Sequence, residues 1–163
     1  MRSMFVFFFN DERMSAGTLA NYVLQKAREM GVSISNLKLQ KILYYVQGYY
    51  LAAFGHPLYP EEIHAWHFGP AVPDVYYTFS RYGSDDISSR MDNYAPPMPA
   101  IPSDELDLID RVLMKKLQLT SKELISDSCA EAPWFHATSG GSISRRFIVI
   151  SIDSIKEYFE SKG

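Results

Sequence analysis

Residues 36–55 read NLKLQKILYYVQGYYLAAFG, and this stretch decides the fold. Ser35 stands before it as an N-cap, and Gly55-His56-Pro57 ends it. On a helical wheel Leu39, Ile42, Leu43, Val46, Tyr49, Tyr50 and Ala53 form one stripe, ~120° wide. Leu37, Tyr44 and Leu51 form a second stripe on the other side. A helix apolar on two faces has neighbours on both flanks, so this one is central. Gly48 costs ~1 kcal/mol against alanine in a helix interior, a cost tolerable where another backbone packs closely.

The same helix carries Lys38, Gln40, Lys41 and Gln47 among its aromatics. A buried amide without a partner costs ~1–3 kcal/mol, so each must find a protein group, water or a ligand. Two readings follow. In one, Gln40 or Gln47 ties down the Gly69-Pro70 turn, and Lys38 and Lys41 snorkel to solvent. In the other, this line is the floor of a groove that receives another protein.

Outward from the central helix, the chain reads as helices with clear punctuation. Ser15–Met30 has Leu19, Tyr22, Val23 and Ala27 at helical spacing, with Gly31 following as the C′ residue. Glu61–Gly69 (EEIHAWHFG) alternates, with Ile63, Ala65 and His67 on one side and His64, Trp66 and Phe68 on the other, as in a short strand. Gly69-Pro70 turns the chain, and Pro73 opens a helix that stops at Gly83. Ser84–Pro102 is polar, then proline-rich, and predicts a surface loop. A helix follows over Ser103–Leu119; Thr120 and Glu123 form a capping box for the next; Ser151 caps a last helix to about Glu160. Phe147–Ile150, in RRFIVIS, is a second strand candidate to pair with Ile63–His67. The expected fold is mainly α: a compact bundle of about six helices around a central helix (about 36–54), with a small two-stranded β element.

Length, charge and cysteine usage narrow the function. The 163 residues suit one domain able to bury a core without disulfide or metal. Apolar residues make up 47%, which favours a packed globule over disorder. A net charge of −3 gives no strong pull on nucleic acid or anionic lipid, and the Arg145-Arg146 doublet is too small for such a surface. No apolar run approaches the ~20 residues a membrane span requires. Cys129 is the single cysteine, which fits a reducing cytoplasm. The opening MRSMFVFFFNDER is read as an N-terminal extension over residues 1–13, with Met14 as the natural start and the domain running over 14–162.

Catalytic signatures are lacking. Four histidines do not converge with acids at metal-ligand spacing, and no phosphate-cradling glycine motif occurs. No local signature of a cysteine hydrolase surrounds Cys129. No metal or other cofactor is expected, and the chain is read as a non-enzyme.

The stretch LKLQKILYYVQGYYLAAFGHPLYPEEIHAWHFGPAVPDVYYTFSRYG closely resembles the opening block of the Panacea domain family. That family includes SocA-like antitoxins and phage-associated GepA-type proteins. The resemblance rests on Leu37, Lys38, Leu39, Gln40, Lys41, Tyr44, Gln47 and Gly48, then Pro57, Leu58, Glu61, Ala65, Trp66, Gly69, Pro70, Val72, Pro73 and Tyr76. Near the C-terminus Glu131, Pro133 and Trp134 match its "H.e.PW" segment, although Ser128-Cys129 stands where the family often has Thr-His.

The resemblance implies an α-rich antitoxin that neutralises a toxin encoded beside it by direct protein binding. Many relatives carry an added DNA-binding domain, for which there is no room before Met14, so a stand-alone domain without nucleic-acid binding is expected; hydropathy and cysteine usage add the expectation of no membrane binding and a cytoplasmic location. Lys38, Gln40, Lys41, Tyr44, Tyr45, Gln47, Trp66, Pro70 and Trp134 are the candidate partner-binding residues. Two other mechanisms are carried: an adaptor that delivers its partner to a protease, and a hydrolase using Cys129. A protease or chaperone stands as a second partner class, and self-association is left open.

Overall fold

The computed structural model describes residues 14–89, 95–142 and 147–162. The extension over residues 1–13 and the Arg145-Arg146 doublet lie outside the described residues. Helix α1 spans Ala16–Met30 and α2 spans Asn36–Phe54. Strands β1 (Ile63–Trp66) and β2 (Gly69–Ala71) follow, then α3 (Pro73–Phe79) and a single 3-10 turn, Ser80–Tyr82. Further along the chain come α4 (Ser103–Lys116), α5 (Ser121–Cys129), α6 (Ala132–Ala137), β3 (Val149–Ile150) and α7 (Ile152–Ser161).

The helix boundaries follow from their caps. Ser15, Ser35 and Ser151 each accept the backbone N–H three residues on, which satisfies one of the free donors at a helix start. Thr120 and Glu123 close a reciprocal capping box on α5. Glu61 reaches from a distant loop to accept the Ala16 N–H at 3.0 Å, placing a carboxylate at the positive end of α1. One helix, α6, is additional to the expected set. Pro133 in its first turn supplies a preset φ and lacks the N–H that would be free there anyway.

Helix α2 is central, as its two apolar stripes predict. It packs most extensively on α7, then on α4, β2 and α5. At Gly48 the close neighbour is a ring and not a backbone. A Cβ built there would lie 2.3 Å from Cε2 of Phe159, so the absent methyl is a notch for that ring. Tyr44, Tyr45, Tyr49 and Tyr158 surround Phe159 with edge-on contacts at 4.8–6.1 Å between centroids.

The expected pairing of Ile63 with Phe147–Ile150 is present: Ile63 stands opposite Ile150 and His64 opposite Val149, antiparallel. A third strand joins them in the order β2-β1-β3. The chain therefore turns at His67-Phe68, and Gly69-Pro70 begins β2, with Trp66 opposite Gly69. Proline cannot donate to a ladder, yet β2 is an edge strand, where that loss is harmless. Gly69 has φ +101°, which a side chain would strain, and a Cβ there would meet Lys41 Cε and Ser128 Oγ at 2.9 Å. Among the described residues, no helix is long and apolar enough to cross a membrane.

Candidate partner-binding surface

The polar residues of α2 are spent on the inside. Gln40 accepts the Val72 N–H at 2.8 Å and donates to Asn36 at 3.0 Å. Gln47 accepts the Leu58 N–H at 2.7 Å and donates to the Tyr59 carbonyl at 2.9 Å. Gln40 thus holds the strand end beside Pro70, whereas Gln47 holds the loop after Gly55. Both amides have no exposed surface.

The lysines do not snorkel. Lys41 is fully enclosed and its Nζ donates to the Pro70 carbonyl at 2.8 Å, its chain passing against Gly69, where a Cβ would lie 2.9 Å from Lys41 Cε. Burial pushes its pKa down to about 7. Lys38 is 6% exposed and donates to the Leu117 carbonyl at 2.7 Å, a cation on the C-terminal end of α4.

A carboxylate joins the two halves of the chain. The oxygens of Glu131 accept the hydroxyls of Tyr44 and Tyr45, at 2.9 and 2.8 Å. Burial raises the Glu131 pKa, while the two phenols oppose that shift. Burial, reinforced by Glu131, pushes both phenols well above the usual tyrosine range. Trp134 is also buried, and its indole N–H donates to the Trp66 carbonyl at 2.8 Å. Trp134 therefore anchors α6 to β1.

Of the nine sequence-selected positions, eight are buried: Lys38, Gln40, Lys41, Tyr44, Tyr45, Gln47, Pro70 and Trp134. Trp66 is half-buried, and although its carbonyl accepts from Trp134, its ring lies on the less buried face of the strand. There it meets Tyr76 edge-on at 5.0 Å, Tyr77 at 6.0 Å and Phe68 at 6.3 Å. With His64, Pro73 and Phe147 these residues line an open cleft of about 370 Å³. Tyr77 is 65% and Phe147 76% exposed, so the rings present apolar area to solvent. His64 Nδ1 is buried beside them and has no hydrogen-bond partner among the described residues.

Sequence reading selected Trp66 but passed over Tyr76, Tyr77, Phe68 and Phe147. A signal was available. Adjacent tyrosines in a short helix point in different directions, so Tyr76 and Tyr77 cannot both enter one core. Among the described residues no group of three or more His, Cys, Asp or Glu side chains is placed to hold a metal.

These features define a helical scaffold whose polar core is bonded to itself and whose sheet carries aromatics outward. The pattern described as Antitoxin SocA-like, Panacea domain, matches residues 39–135. The protein named Antitoxin SocA, from Caulobacter vibrioides (strain NA1000 / CB15N), is 34% identical over 131 residues, spanning 76% of this chain and 70% of that protein. The chain belongs to the SocA-like Panacea domain family. No solved structure matches it.

Proposed function

We propose that this protein is a cytoplasmic antitoxin that neutralises a cognate toxin by direct binding, through the aromatic face around Trp66, Tyr76 and Tyr77. The observation that carries the reading is the exposed ring cluster, which supplies rigid anchors of the kind that dominate protein contacts. Kinship with a protein named as an antitoxin supports the choice of partner. The buried members of the candidate set then act from behind. Lys41 and Gln40 hold β2, and Trp134 holds β1, so that the rings keep their places. The reaction-free reading rests on the same economy: the polar groups of α2 are already bonded.

The adjacent reading frame is to be expressed with and without this protein. Growth arrest by the neighbour alone, relieved by this protein and not by a Trp66→Ala/Tyr77→Ala variant of equal melting temperature, is the expected result. A harmless neighbour, or full rescue by the variant, overturns the assignment. Partner abundance separates blocking from delivery to a protease: blocking leaves it unchanged or higher.

A further inference from the structure

A second surface differs from the aromatic face in every element that builds it. On α4, Leu108, Arg111, Val112 and Lys115 fall at i, i+3, i+4 and i+7, so they form one stripe along the helix. With Tyr49 of α2 and with Lys116 they line a cleft of about 220 Å³. Its floor is aliphatic and aromatic; its walls are cations. Lys116 lies over the Tyr45 ring at 4.0 Å. Lys162, at the end of α7, is close enough to act on Lys116 and to be acted on by Tyr49.

The chain carries a net charge of −3, yet three cations, Arg111, Lys115 and Lys116, line this cleft. Among the described residues none of Arg111, Lys115, Lys116 and Lys162 pairs with a carboxylate within 4.0 Å. Three of the nearby acids, Asp110, Glu105 and Glu131, already accept phenol hydroxyls. Asp110 accepts the Tyr22 hydroxyl, and Glu105 accepts that of Tyr50. Asp127 and Glu131 attract Lys116, but both Glu131 oxygens are occupied by the two phenols. Arg111 and Lys115 are exposed.

Opposite charge is therefore wanted at the walls and apolar surface at the floor. A phosphate chain would satisfy the first and waste the second. We infer that the groove between α2 and α4 docks an acidic segment of a partner protein, its aliphatic side chain seated on Leu108 and Val112 and its carboxylates on Arg111, Lys115 and Lys116. Such charge-matched rims govern encounter and orientation, and they weaken as salt is added.

The test uses the full chain and three fluorescein-labelled probes, read by anisotropy: the peptide DELEDLDE, its analogue with lysine at every acidic position, and single-stranded oligo-dT. The acidic peptide should bind, weaken as salt rises, and lose about tenfold in affinity in an Arg111→Glu/Lys115→Glu variant. An Arg111→Lys/Lys115→Arg variant should bind as the parent does. Both sites are exposed, so melting temperatures should match, and wild-type salt dependence stands as evidence independent of any variant. Equal binding of the basic analogue, tighter binding of oligo-dT, or charge reversal without effect each overturns the assignment. None of these readouts involves a toxin or the aromatic face, so failure here leaves the proposed function standing, and the converse also holds.

Discussion

Replacing Gln47 with leucine separates framework from recognition. The amide has no exposed surface and makes two bonds, to the Leu58 N–H at 2.7 Å and the Tyr59 carbonyl at 2.9 Å. Leucine fits a similar volume but strands both backbone groups in the core. Each stranded group costs roughly 1–3 kcal/mol, offset in part by the greater apolarity of leucine, which leaves a loss of about 3 kcal/mol. For a chain of this size that lowers Tm by about 6–12 °C. Thermal melting by circular dichroism measures it. Binding of the adjacent-frame product, measured well below the variant's Tm, should be unchanged. A Tm lowered by less than about 2 °C, with binding abolished, would refute the reasoning and place Gln47 at the contact.

Three further outcomes follow from the same geometry. Gly48→Ala should destabilise by about 1–3 kcal/mol despite the better helix propensity of alanine, because its methyl enters the Phe159 ring; a Gly48→Ala/Phe159→Leu double variant should recover part of that loss in urea titrations. Lys41 has a folded pKa of about 7 against an ordinary 10.5, so between those values the folded state binds fewer protons than the unfolded chain. Unfolding free energy should therefore rise from pH 7 to pH 9 by up to about 1.4 kcal/mol per unit, and Lys41→Met should flatten that rise. Cys129→Ser should leave toxin rescue intact; loss of rescue at unchanged Tm would revive the thiol hydrolase.

Much of this architecture can be read from residue types, because caps and breakers act locally. Ser15, Ser35, Ser151 and the Thr120–Glu123 box each need only their next three residues, and all four helix starts fall where those signals put them. The β1–β3 pair was legible for a similar reason: two short apolar runs suited one another. Strand β2 was not, since Pro70 argues against a strand until its edge position is known. Helix α6, with only six residues, leaves too little periodicity to detect. The site divides along the same line. Spacing shows that Gln40, Lys41 and Gln47 need partners, but naming them requires the path of segments 11–32 residues away. The close approach of Lys41 to the bare backbone of Gly69, where a Cβ would lie 2.9 Å from Cε, is a contact that no wheel diagram contains. Glu131 bridges to Tyr44 and Tyr45 across 86–87 residues, and long-range juxtapositions of that kind leave no trace in local pattern.

The fit of Phe159 into the bare backbone at Gly48 has a consequence in time. Roughly a hundred residues separate the end of α2 from the start of α7. At ~5–20 residues per second, a ribosome exposes the oily middle of the nascent protein for roughly 5–20 s before its cover arrives. During that interval the half-made chain is a client for chaperones and a target for proteases. The length of that uncovered interval is set by the time taken to translate the residues between α2 and α7.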